Sequence, residues 1–200
     1  MKKIILFVCV VVLIFGALIF FKDFRKMNLD TEENRTLVHQ RNELVKKYKD
    51  KMTSIAIKNQ QNEELCQWDS YKNRQLEKEK LELYDKIIVE LDSYYTFITD
   101  DGSKIDNTDY VTILSKMKKI NRSNFDNLLK DYWSQNTAIK HFYTLYYKEA
   151  QNLNNKDLIE ALDKCKSYGE KIKEYDTFTE LLHNEIEKLE IVLEIIDSLK

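Results

Sequence analysis

Proline occurs at none of the 200 positions, and glycine only at Gly16, Gly102 and Gly169. The usual punctuation of loops and strands is therefore nearly missing. Glycine-rich phosphate loops are excluded by the same count, because they need several glycines where backbone approaches phosphate. Histidine and cysteine are as scarce, three of each. Neither a Cys-x-x-Cys nor a His-Glu-x-x-His spacing occurs, so the common zinc patterns are absent. A formal net charge of −2 gives no reason to expect nucleic acid.

What is present begins with an apolar run. Ile4 to Phe21 carries no charged side chain, and its 18 residues reach roughly 27 Å as a helix, close to one hydrocarbon core. A cleavable leader would have a shorter core, followed by small residues at the cut, and neither condition is met. Residues 1–21 thus read as an uncleaved transmembrane signal anchor and residues 22–30 as a juxtamembrane stalk. Lysines and arginine flank both sides, but the short basic tail Lys2-Lys3 is the harder to translocate. That favours an extracytoplasmic carboxy-terminal domain on a single-pass protein, and the composition suggests a bacterial cell or inner membrane.

Residues 31–200 read as one α-helical bundle domain. Charged residues make up 33% of the chain and hydrophobic ones 43%, a balance that suits amphipathic helices and argues against disorder. Leu37, Leu44, Tyr48, Met52 and Ile55, and later Tyr84, Ile87, Leu91, Tyr94 and Ile98, recur at steps of three and four. They predict a long, coiled-coil-like helical region from about Thr31 to Thr99, with a turn conceivable at Lys58–Glu64 (KNQQNEE). Asp100–Asp109 (DDGSKIDNTD) is the one strong breaker. A short helix follows from about Thr108, and a third starts at a Ser123 cap and carries Phe125, Leu128, Leu129, Tyr132, Ile139, Phe142, Tyr143 and Tyr146. After Asn152–Asp157 a last helix runs nearly to the end, with Gly169 as an interruption. The expected fold class is all-α: one transmembrane helix, then an antiparallel helical bundle.

Candidate sites are few. The Asp100–Asp109 loop fails the helix-loop-helix calcium pattern, since Gly102 at the sixth place puts Phe97 at the first and Thr108 at the twelfth. Glu180 and His183 share the spacing of half a di-metal site, but Thr36 and Ala138 stand where His39 and His141 would need a glutamate. No metal or cofactor is expected. Cys66 and Cys165, the cysteines outside the apolar run, are candidates for a disulfide in an oxidising compartment. Trp133, Tyr143, Tyr146 and Tyr147 are candidates for a partner-binding surface, because aromatics are enriched where proteins dock.

The sequence thus points to a membrane-anchored interaction module, an adaptor, scaffold, sequestering or assembly subunit without a catalytic centre. Membrane lipid around residues 4–21 and a protein partner are its expected contacts, and a homo-oligomer is compatible with the pattern. The rival reading is a ligand-sensing bundle that relays through a partner. An enzyme comes third, since the substantial loops hold neither histidine nor cysteine.

Overall fold

The computed structural model of the chain describes residue 29 and residues 31–66, 71–98, 104–106 and 122–199. Among these are six helices: α1 (Glu32–Cys66), α2 (Tyr71–Tyr95), α3 (Arg122–Ala138), α4 (Lys140–Asn152), α5 (Lys156–Lys171) and α6 (Phe178–Ser198). A small hairpin follows α2, pairing β1 (Thr96–Ile98) with β2 (Lys104–Asp106) in register Phe97 to Ile105. The helical bundle is as expected; the strands are not. Ile98 belongs to a strand and not to the helical seam, in keeping with the β-branched and aromatic run Thr96-Phe97-Ile98.

The apolar run Ile4–Phe21, most of the stalk and the helix expected after Thr108 lie outside the described residues, whereas Ser123, expected as a cap, falls inside α3, which already begins at Arg122. Among the described residues no helix is long and apolar enough to cross a membrane. Leu29 is described and buried, and its carbonyl accepts from Asn34 Nδ2. The folded part therefore includes the end of the segment read as a stalk.

Three boundaries differ from the sequence reading. KNQQNEE does not turn: it lies inside α1, which runs to Cys66, and α2 is a separate helix that begins at Tyr71. Lysine, glutamine and glutamate are good helix formers, so a stretch that is polar all round can remain helix beside a partner. The expected third helix is two, α3 and α4, parted at Ile139, whose backbone keeps helical angles (φ −57°, ψ −27°). There Ile139 N–H donates to Asn136 O and Phe142 N–H to Ile139 O, three-residue steps that tighten the ladder into a bend. The expected last helix is also two, because Ile172 turns extended (ψ 135°) and Thr177 starts α6 with a capping box.

Ladders of side-chain contacts fix the directions. Tyr48 reaches the Leu91 carbonyl and Asn59 reaches Asp85, so α2 runs antiparallel to α1. Tyr168 with Asn184, and Lys164 with Glu194, make α5 and α6 antiparallel. Asn34 with Thr179, Arg41 with Glu185 and Lys51 with Asp197 rise together along both chains. Hence α1 and α6 pack parallel, which corrects the expectation of an antiparallel contact between the first region and the last helix. A parallel pair needs a long connection, and helices α2 to α5 supply it.

Helix α6 is central: it packs on α1, α3 and α5, and thirteen of its 21 residues are buried. The core has two apolar clusters. One holds Val45, Tyr48, Ile87, Leu91, Phe142, Leu162, Leu189, Val192, Ile196 and Leu199; the other holds Leu29, Leu37, Phe125, Tyr132, Phe178, Leu182 and Ile186. Gly169 does not merely interrupt α5. A Cβ there would stand 2.6 Å from Lys140 Cβ and 3.3 Å from the Thr137 carbonyl, so glycine is what lets α5 approach the α3–α4 bend.

Candidate functional site

The concentrated constellation of titratable side chains lies inside the bundle, between the two apolar clusters. On α1, Arg41 stands between Leu37 of one cluster and Val45 of the other; on α6, Glu185 and Lys188 stand between Leu182 and Leu189. Helical spacing turns all three inward, as Leu37, Arg41 and Val45 follow at steps of four and Glu185 and Lys188 are one turn apart. Arg41 and Glu185 are fully buried and Lys188 is 2% exposed.

Two cationic side chains converge on one carboxylate. Glu185 Oε2 accepts from Arg41 Nη2 at 3.2 Å and from Nε at 3.4 Å, and Oε1 accepts from Lys188 Nζ at 2.7 Å. Lys188 Nζ also donates to Asn136 Oδ1 at 2.6 Å, and Asn136 Nδ2 donates to the Tyr175 hydroxyl at 2.6 Å. The layer therefore ties α1, α3, α6 and the α5–α6 connection together. Nearby, the Tyr168 hydroxyl donates to the Asn184 carbonyl.

Burial by itself pushes the Glu185 carboxyl up, but Lys188 and Arg41, with hydrogen bonds from Lys188 and Asn136, outweigh it and hold the group below the usual carboxylate range. Burial pushes Lys188 down, against the attraction of Glu185 and with the repulsion of Arg41. Burial also raises the Tyr168 and Tyr175 hydroxyls. Among the described residues two buried side-chain nitrogens make no hydrogen bond, Arg41 Nη1 and Trp133 Nε1. Each such orphan costs about 1–3 kcal/mol. A charged layer with an unsatisfied guanidinium nitrogen is therefore a poor device for stability alone.

The residues singled out from sequence are dispersed. Tyr146 is core, its hydroxyl on the Lys86 carbonyl. Tyr143 and Tyr147 are half-buried and packed on each other, ring centroids 4.4 Å apart, with Lys166 Nζ 4.7 Å over Tyr143. Trp133 packs against the second cluster on a different helix. Only Tyr143 and Tyr147 share a partly open face. Cys165 is a free thiol, fully buried, with burial pushing it up to about 12. Cys66 ends α1, and its side chain lies outside the described part.

Glu180 has a local role instead of a metal-binding one. Its Oε2 accepts from the Thr177 and Asp176 backbone N–H groups while Thr177 Oγ1 accepts from Glu180 N–H, closing the capping box of α6. His183 is exposed, 3.9 Å from Glu33. No group of three metal-ligating side chains occurs among the described residues.

Asn155 forms a second junction. Its Oδ1 accepts from Leu158 N–H and caps α5, while Nδ2 donates to Tyr84 Oη and to the Ser198 carbonyl, each at 2.9 Å. Asn154 before it takes a left-handed conformation (φ 52°), which asparagine tolerates better than most residues. Neither Arg41, Glu185 and Lys188 nor Asn155 stood out by motif. For the first three the signal available was a charged residue on a position that the apolar spacing assigns to the core, and for Asn155 a cap residue just before the apolar run that starts at Leu158.

Compared with protein-family models, curated proteins and solved structures, the chain matches none.

Proposed function

We propose that this protein is a membrane-anchored helical interaction module, an adaptor, scaffold, sequestering or assembly subunit that works by contact. The observation that supports it is the sealing of the charged layer: Arg41, Glu185, Lys188 and Asn136 are engaged with one another inside the core. Groups so placed organise a scaffold and do not meet a substrate. The surface offers contacts instead. Helix α1 runs 15 residues beyond Lys51, its outermost ion pair with α6, which is roughly 22 Å of helix accompanied by α2. Ile57 on this arm, Val89 on α2 and Leu145 on α4 are large apolar side chains more than half exposed.

The apolar run Ile4–Phe21 would hold this bundle at a bilayer. The test is photo-crosslinking in cells from Ile57, Val89 and Leu145, read beside membrane fractionation after alkaline washing. The reading expects retention in the membrane and a crosslinked protein specific to at least one position. A soluble product beginning near Lys22, or crosslinks to water and lipid alone at all three positions, would refute it.

A further inference from the structure

We infer that the layer of Arg41, Glu185, Lys188 and Asn136 is a register lock, which selects one sliding position of α1 on α6 and contributes selectivity in place of net stability. The need for a lock follows from the α1 sequence. Asn34, Arg41, Tyr48 and Ile55 recur every seven residues on the face toward the core, and all four are buried. The buried apolar positions Leu37, Val45 and Tyr48 beside and among them also receive apolar residues after a slide of seven, whereas Lys51, Asn59 and Asn62 would come to the places of Leu44, Met52 and Ile55. Leu44 would replace Leu37, Val45 would replace Val38, Met52 would replace Val45 and Ile55 would replace Tyr48. Apolar packing at Leu37, Val45 and Tyr48 therefore discriminates poorly between two registers about 10 Å apart.

Chain connectivity does not choose between them either. Arg41 and Glu185 are 144 positions apart in sequence, and no short loop dictates how α1 meets α6. Three further contacts are weak pins. Lys51 with Asp197 is a partly exposed pair, Glu33 with His183 an exposed one, and Asn34 with Thr179 a single neutral hydrogen bond. The buried layer is different in kind. A slide of seven puts Tyr48 or Asn34 opposite Glu185 and carries the guanidinium into an apolar cluster. Both consequences strand a buried charge, which is the strongest penalty the contact offers. A polar residue at one core position of paired helices fixes register in this way, and at some cost in stability. The orphan Arg41 Nη1 is that cost made visible.

Register can be read chemically, because Lys51 Nζ lies 2.5 Å from Asp197 Oδ1 and Lys58 stands seven residues further along the same helix. A carbodiimide joins contacting amines and carboxylates, so peptide mapping of the crosslinked full-length protein identifies which lysine faces Asp197. The native chain should give Lys51 with Asp197. The variant Arg41→Met with Glu185→Leu and Lys188→Met should keep its helical content and melt no lower than the native protein, while the Lys51 product falls at least threefold and a Lys58 product appears. A folded variant that gives only the native product at native yield would overturn the lock.

Should that variant not fold, Arg41→Leu with Tyr48→Arg decides, since it moves the arginine one heptad along α1. The lock expects the Lys58 product to dominate. Persistence of the Lys51 product alone would overturn it.

Discussion

Replacing Glu185 with glutamine keeps the shape of the side chain and removes its charge. Arg41 and Lys188 would remain, both buried, with their shared anion gone. Breaking a buried ion pair by removing one partner costs about 3–5 kcal/mol, mostly because the remaining charge is stranded. Against a total stability of about 5–15 kcal/mol for a domain, that is a large share. For a chain of this size it corresponds to a melting temperature lower by roughly 6–20 °C. Urea unfolding followed by circular dichroism at neutral pH measures it directly, and the slope with urea should be unchanged because the same surface is exposed.

The pH dependence gives a second reading. Glu185 is held below its ordinary value in the folded protein, so its contribution is fully present above the unfolded carboxylate range and is lost as pH falls through the folded value. The glutamine variant should lose that part of the acid limb. Lys188 is also held below its ordinary range, so folding favours its neutral form, and stability from this group rises as pH climbs from the folded value toward the unfolded one. The deficit of the variant should therefore narrow at alkaline pH. A neutral-pH deficit under about 1 kcal/mol with an unaltered acid limb would mean that water reaches the layer, and the reasoning from burial would fail.

Asn155→Ala should destabilise by about 2–3 kcal/mol, one for the α5 cap and about one for each lost donor, while Asn155→Asp keeps the cap and should lose less; paired chemical denaturation curves check the order. Gly169→Ala should destabilise by about 1–3 kcal/mol despite the better helix propensity of alanine, because the new Cβ meets Lys140 Cβ at 2.6 Å; a stabilised variant would show that α5 can shift freely. The Cys165 thiol should resist alkylating reagents in the native protein and react at the rate of local opening, which mass spectrometry of timed labelling reads; prompt labelling at neutral pH would contradict its burial.

The helices were legible because their signals are local. Steps of three and four from Leu37 to Ile55 and from Leu158 to Ile196 are written in neighbouring residues, and missing prolines leave little to stop a helix. What ends α5 at Lys171 and bends the chain at Ile139 is not local. Ile172 could continue a helix by its own propensity, and Ile139 does keep helical angles. Both points lie beside contacts with other elements, Gly169 on Lys140 and Asn136 under Lys188 and Tyr175, and the one local signal is the Thr177–Glu180 capping box that restarts the helix. The hairpin after α2 was missed for a related reason: Tyr94 and Ile98 fit a helical stripe, and only the pairing of Phe97 with Ile105 decides for strand.

The charged layer is masked by the same periodicity that marks the helices. A stripe is read by collecting apolar residues, so Leu37, Leu44 and Tyr48 register while Arg41 between them is passed over. In α6, Leu182, Ile186 and Leu189 likewise register while Glu185 and Lys188 look like the solvated positions expected on an amphipathic helix. Yet α6 is packed on by three helices, and its solvated side narrows to one stripe that carries Glu180, His183, Glu190, Glu194 and Asp197. A charge off that stripe, as at Glu185 and Lys188, must find its complement inside the bundle. That condition, applied to the sequence, singles out the inward charges of the central helix first and asks which partner helix carries the opposite sign on its own apolar stripe. Arg41 is the residue that answers it on α1, at a seam position that packing alone would have given to leucine.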